Sequence, residues 1–175
     1  MTARITPGGR RDVGLATWAF ARAAGRVTGT RPPAIFLTLG RHRRLFRGWL
    51  HFAGRLMPGG RLPRRDAELV ILRVAHLTGS AYEQAHHATL GRRAGLSDVE
   101  IDRVARGSAE PGWTDTQRLL LEVTEEVCAS DDLGDTSYAR LEAAYDEPTV
   151  IEVLMLIGQY RMLATTLHVL RVEPD

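Results

Sequence analysis

Lysine and asparagine are absent from the 175-residue chain, and cysteine occurs once, at Cys128. A lone cysteine closes no intrachain disulfide, which excludes the disulfide-scaffold class and makes a reducing, cytoplasmic setting the natural expectation. No stretch approaches the ~18 consecutive apolar residues of a membrane-spanning helix, so no membrane partner is expected. The missing lysine leaves all 23 basic residues as arginine, a uniformity that points to a GC-rich coding bias more than to a nucleic-acid surface. Acids are scarce at one end only. Residues 1–65 hold 14 arginines against one acid, Asp12, whereas residues 66–175 hold 9 arginines against 20 acids. A basic part beside an acidic part fits complementary surfaces of one fold or one oligomer. With no recognisable helix-turn-helix or other nucleic-acid module present, no nucleic-acid partner is expected.

What is present is an ordinary globular composition, 44% apolar and 25% charged, with apolar residues at helical spacing nearly from end to end. The alternation of a half-buried strand is nowhere sustained. The reading is an all-α, single-domain, compact helical bundle of about six to eight helices, residues 1–60 being a basic helical extension and 61–175 the core. A first helix covers about Val13–Ala24. The turn Arg31-Pro32-Pro33 introduces a long amphipathic stretch, Ala34–Leu56, ended by Met57-Pro58-Gly59-Gly60. Helices over Arg64–Leu77 and Ala81–Arg93 follow, the second closed by Gly95. Ser97-Asp98-Val99-Glu100 is a capping box starting a helix to Arg106. Asp115–Ala129, Asp135–Tyr145 and Thr149–Leu170, opened by Pro148, complete the set.

The densest group of ionisable side chains is Glu68 with Ser80-Ala81-Tyr82-Glu83-Gln84-Ala85-His86-His87. Glu83 and His87, four apart, share a helix face, and a carboxylate beside an imidazole fixes the ring's tautomer for acid/base work. In one straight helix Glu68 would lie about 28 Å from His87, at ~1.5 Å rise per residue. A hairpin bent at Thr78-Gly79-Ser80 brings the two within about a turn of each other. Ser80-x-x-Glu83 also has capping-box spacing, so Glu83 has a purely structural alternative. Glu83-x-x-His86 has the spacing of a di-iron bundle ligand pair, but the chain carries only one such pair, so no metal and no cofactor is expected. Cys128 has no histidine in its own helix and reads as a small buried residue. No phosphate-cradling glycine loop occurs.

Leu62-Pro63-Arg64-Arg65-Asp66-Ala67-Glu68-Leu69-Val70-Ile71-Leu72-Arg73-Val74-Ala75, then Tyr82-Glu83-Gln84-Ala85-His86-His87 and Ala94-Gly95-Leu96-Ser97, resemble the carboxymuconolactone decarboxylase and alkylhydroperoxidase D-like superfamily. Upstream Trp49-Leu50-His51-Phe52-Ala53-Gly54 and terminal Leu154-Met155-Leu156-Ile157-Gly158-Gln159-Tyr160 extend the likeness over most of the chain. In the peroxidase branch the motif is a Glu, a Cys-x-x-Cys pair and a His. Here the resemblance places Glu68 and His87 at the Glu and His positions, with Ser80 and Glu83 where the cysteines stand. A serine hydroxyl cannot cycle through sulfenic acid and disulfide. The resemblance therefore implies the decarboxylase-like branch: a cofactor-independent lyase or isomerase acting on a small carboxylated or lactone substrate. In that reading His87 is the general acid or base, Glu83 orients it, Glu68 relays or holds a proton, and Tyr82, His86 and Ser80 line the substrate site. The alternatives are an alkylhydroperoxidase-type antioxidant, disfavoured by the missing cysteines, and a non-catalytic helical oligomer that binds a ligand or partner. The resemblance also implies a homo-oligomer, dimer, trimer or hexamer, with the apolar aromatics of Ala34–Phe52 as its expected contact.

Overall fold

The structure, a computed structural model, describes residues 2–175. Among the described residues it holds ten helices and no strand: α1 Arg10–Val13, α2 Leu15–Thr28, α3 Ala34–Leu39, α4 Arg43–Leu56, α5 Arg64–Leu77, α6 Ala81–Arg93, α7 Asp98–Arg106, α8 Asp115–Ser130, α9 Asp135–Ala144 and α10 Glu147–Leu170. The class is the expected all-α one. The count exceeds six to eight for two local reasons. A four-residue helix, α1, precedes α2, and the stretch expected as one helix, Ala34–Leu56, breaks into α3 and α4. The break is built around Gly40, where a Cβ would lie 2.5 Å from the Phe36 carbonyl oxygen and 2.7 Å from Thr17 Cγ2. Only glycine tolerates that approach of α2. His42 Nδ1 then accepts from the Leu45 N–H at 3.3 Å and starts α4.

Eight of the 14 residues of α5 are buried, Ala67 to Leu72 without a break and then Val74 and Ala75, Glu68 being the one charged side chain among them. A helix buried along its middle on every side belongs in the interior, and α6, α7, α8 and α10 pack around this one. On one side Val70, Ile71 and Val74 meet Leu120 and Val123 of α8 and Val153, Leu156 and Ile157 of α10. On the other, Leu69 and Leu72 meet Ile101 and Val104 of α7, with Trp113 and Leu121. Each fully buried Leu or Ile contributes about 1.5–3 kcal/mol relative to exposure. A third cluster, Ile35, Tyr82, Leu163 and Leu167, joins α3, α6 and α10.

The helix ends follow the sequence signals. The Ser97 hydroxyl accepts from the Glu100 N–H, and the Glu100 carboxylate accepts from the Ser97 N–H at 2.9 Å. Gly95 adopts φ +96°, and the Leu96 N–H donates back to the Gly91 carbonyl at 2.9 Å, the glycine turn that ends a helix. Asp146 accepts from the Thr149 N–H and caps α10.

Phe36, Phe46 and Trp49, expected at a subunit contact, pack on one another with ring centroids 5.7–6.2 Å apart, and Phe46 is fully buried. Phe36 and Trp49 are half-buried, and α4 lies on α10. Exposed apolar side chains include Leu45 of α4 and Ile151, Met155 and Met162 of α10. Helix α10 is long and apolar enough by length and composition to cross a membrane. Its apolarity has a packing cause, since α4, α5, α8 and α9 all contact it. Three arginines at the end of the basic segment reach acids of the acidic one, in the pairs Arg61–Asp146, Arg64–Glu68 and Arg65–Glu100.

Candidate active site

The α5–α6 hairpin closes at Thr78-Gly79-Ser80. Gly79 takes the left-handed conformation, φ +66°, and the Ser80 N–H donates to the Ala75 carbonyl at 2.9 Å. From α6 the Gln84 side-chain amide donates to the same carbonyl at 3.0 Å. The two helices then run back along each other, so Glu68 meets His87 at 2.7 Å, from Oε2 to Nδ1. Glu68 is wholly buried and His87 nearly so. On the other carboxylate oxygen, Arg64 Nη2 lies 2.7 Å from Oε1, one helical turn earlier on α5. That contact is an ion pair, misaligned for a hydrogen bond. The Arg64–Glu68–His87 row is thus a cation, an anion and an imidazole in line.

His87 borders a half-open cavity of about 500 Å³ lined from α2, α3, α4, α5, α6 and α10. Its walls are aromatic and aliphatic, with Phe20, Phe36, Trp49, Leu50 and Leu163 among them. The N-terminal basic segment therefore supplies one whole side of the site. Tyr160 of α10 stands edge-on to His87, ring centroids 4.9 Å apart and planes at 88°.

The structure places the sequence-derived candidates unequally. Glu83 and His87 both line the cavity, but the carboxylate on the imidazole is Glu68. Glu83 is buried with Oε2 bare of any hydrogen-bond partner. Ser80 does stand at the N-cap of α6, yet its hydroxyl makes no capping hydrogen bond, so the structural alternative for Glu83 is not realised. Burial pushes the Glu83 carboxyl up to about 8, which leaves it protonated at neutral pH. His86 also lines the cavity. Burial foremost, then the neighbouring His87, pulls its imidazole down to about 4, so it is uncharged. Tyr82 offers its ring to the cavity wall, but its hydroxyl is engaged elsewhere: it donates to Asp175 Oδ2 at 2.9 Å and accepts from the Ile35 N–H at 3.3 Å. Ser80 is buried in a different groove, with Gly79, Ala81 and Leu167, and is not among the residues lining the cavity.

Three residues of the cavity were not anticipated. Gln159 of α10 is buried with both carboxamide atoms unpartnered, and the Trp49 indole N–H is likewise bare. Arg64 lines the cavity beside its ion-pair partner. For Gln159 a signal exists: it lies three residues after Leu156 and four before Leu163, both core leucines, so helical periodicity already turns it inward. Cys128, on α8, packs against the main core and is not a lining residue of the cavity. Its thiol is held above its ordinary range, chiefly by burial. Among the described residues no group of three or more His, Cys, Asp or Glu converges as metal ligands would.

Residues 43–126, which include Glu68, Glu83 and His87, match the model of the carboxymuconolactone decarboxylase family. No protein of curated function matches the chain. Solved structures of the same fold include an alkylhydroperoxidase AhpD core, an uncharacterized peroxidase-related protein from Ralstonia eutropha JMP134, with 17% identity, TM-score 0.84, and 98% of this chain and 93% of that one covered. An uncharacterized peroxidase-related protein from Silicibacter sp. TM1040 aligns at 13% identity and TM-score 0.82, over 91% of this chain and 85% of its own. A cysteine-to-alanine variant of the debrominase Bmp8, in complex with 2,3,4-tribromopyrrole, aligns at 15% identity and TM-score 0.84, over 100% and 93%. At these identities the likeness is one of fold.

Proposed function

The chain belongs to the carboxymuconolactone decarboxylase and alkylhydroperoxidase D-like superfamily, and from that premise we propose that it is a cofactor-independent proton-transfer enzyme, a lyase or isomerase acting on a small carboxylated or lactone substrate. One observation carries the reading: the Glu68–His87 contact of 2.7 Å opens on a cavity in which the Glu83 carboxyl is unpartnered. A thiol relay has no support here, because Ser80 and Glu83 occupy the two motif positions and Cys128 lies off the cavity.

The chemistry follows from the roles these groups can hold. The Glu68 carboxylate accepts from Nδ1–H of His87, which leaves Nε2 as the ring's acceptor. Nε2 takes a proton from the carbon next to a substrate carbonyl, and the imidazolium so formed is stabilised by Glu68. Negative charge develops on the carbonyl oxygen as the enolate forms. Protonated Glu83 donates to that oxygen, and its neutrality at pH 7 is what makes it a donor. Returning the proton from His87 to a different carbon completes an isomerisation. In a decarboxylation, the C–C bond electrons of the departing carboxylate form the enolate, and His87, entering protonated, supplies the proton that quenches it. Arg64 pairs with Glu68 and holds its carboxylate in place throughout.

The bound ring compound in the Bmp8 complex supports a ring-sized ligand in this fold. A homo-oligomer forms part of the proposal, with Ile151, Met155 and Met162 of α10 as the exposed apolar surface that a second copy would cover.

The test is turnover of a panel of small lactones and carboxylated lactones, with hydroperoxide plus a thiol donor as the contrasting arm. The expected result is lactone turnover that falls by about 10²–10⁴-fold in His87→Ala, the usual contribution of a general acid or base. Hydroperoxide reduction by the wild type, or full lactone turnover by His87→Ala, would overturn the proposal.

A further inference from the structure

The described residues include six whose side chains carry a buried polar atom with no hydrogen-bond partner, and three of these, Trp49, Glu83 and Gln159, line the one cavity beside His87. An unpartnered buried polar group costs about 1–3 kcal/mol, so such groups are normally satisfied. Gln159 carries two such atoms in the middle of a core helix, between Leu156 and Leu163, where leucine would pack without that cost. Nothing in the fold uses its carboxamide. The donors and acceptors of a bound molecule would.

The chemistry of the three groups is selective. Trp49 only donates. Gln159 donates through its NH₂ and accepts through its carbonyl, and a protonated carboxyl at Glu83 does both. Together they match a molecule that bears a carbonyl oxygen to receive donors and an N–H or O–H to satisfy acceptors. A carboxylate, which only accepts, leaves Gln159 Oε1 and the Glu83 carbonyl facing like polarity. The charges agree. The cation lining the cavity, Arg64, is set against the Glu68 carboxylate, and His86 is neutral. The cavity's own carboxyl, Glu83, is driven to its neutral form by burial with no cation to oppose it. A ligand carboxylate in the same place meets the same desolvation. Aromatic walls at Phe20, Phe36 and Trp49 favour a flat ring.

We infer that the cavity recognises an uncharged ring compound bearing a carbonyl group and a hydrogen-bond donor, and that Gln159 and Trp49 position it by hydrogen bonds to that polar edge. The inference rests on the reading of this cavity as the substrate site and narrows its substrate class to uncharged carbonyl compounds, setting aside free carboxylates. Gln159 is a specificity-determining residue in this account, and His87 keeps the proton-transfer role.

Benzamide and benzoate are near-isosteric probes that differ in charge and in donor capacity. Binding is followed at pH 7 by NMR of protein labelled with ¹⁵N-tryptophan, the Trp49 indole signal being assigned with Trp49→Phe. The expected result is benzamide binding at least ~10-fold tighter than benzoate, with displacement of the Trp49 indole N–H signal. In Gln159→Leu the benzamide Kd rises by about 10-fold while the benzoate Kd stays within about twofold. Equal or tighter benzoate binding, an unmoved Trp49 signal at benzamide saturation, or unchanged benzamide affinity in Gln159→Leu would overturn the inference. The wild-type comparison alone decides the charge preference if Gln159→Leu fails to fold. Because the readout is binding, failure here leaves lactone turnover to be judged separately. Retained benzamide selectivity with no turnover would count against the proton-transfer proposal alone.

Discussion

Replacing Glu83 with glutamine makes the protein more stable, and the gain grows with pH. Glu83 is 2% exposed, and its carboxyl is raised from 4.5 to about 8 by burial. Below pH 4.5 the group is protonated whether the chain is folded or unfolded, so it exerts no pH-dependent effect. Between pH 4.5 and 8 the unfolded chain releases the proton and the folded one keeps it. Folding then takes up a proton, and stability declines by about 1.4 kcal/mol per pH unit. By pH 7 the accumulated cost is about 3 kcal/mol. Glutamine has the shape of the protonated acid and no charge to lose, so Glu83→Gln removes this cost. For a chain of this size 1 kcal/mol corresponds to ~2–4 °C in Tm. The expected rise in Tm is therefore about 6–12 °C at pH 7, shrinking to about 1–3 °C at pH 5. Calorimetry of both proteins across pH 4.5–8 measures it. A Tm difference that does not change with pH, or a variant less stable than the wild type at pH 7, refutes the reasoning. A glutamine amide also donates a hydrogen bond, so the variant is expected to keep measurable activity at pH 7.

Two further outcomes follow from the same geometry. Because Glu83 acts as a donor in its protonated form, kcat/KM on a lactone should fall above about pH 8 as the carboxyl ionises, and Glu83→Gln should lose this descending limb; a limb retained in the variant assigns it to another group. On α10, Met155→Glu places a charge in the middle of the exposed apolar stripe and should convert the proposed homo-oligomer to protomers in sedimentation velocity with little change in Tm, whereas an unchanged assembly moves the contact elsewhere.

Much of the helical framework is legible in the sequence because its signals are local. Gly79 marks the hairpin, Gly95 ends α6, and Ser97 with Glu100 opens α7, each through bonds spanning only a few residues. The break at Gly40 is not legible, since its cause is the approach of Thr17 from another helix. At the site, Glu68, Glu83 and His87 could be gathered from spacing, but their division of labour could not. Helix spacing pairs Glu83 with His87 four residues on. The register of α5 against α6 instead sets Glu68 on the ring and leaves Glu83 unpartnered. Ser80, at the turn, falls into a neighbouring groove. Helical periodicity turns Gln159 inward, but that Trp49 and Gln159 make no hydrogen bonds there is a property of packing among α4, α6 and α10.

The central claim, that His87 moves a proton at a carbon beside a carbonyl, is tested most directly by solvent exchange. Incubation with α-angelica lactone, an uncharged unsaturated lactone, in deuterium oxide lets proton NMR follow deuterium entering the ring carbons. The account predicts enzyme-dependent deuterium incorporation in the wild type, reduced by at least ~10²-fold in His87→Ala. Incorporation at the wild-type rate in His87→Ala, or none beyond the buffer rate in the wild type, would contradict it.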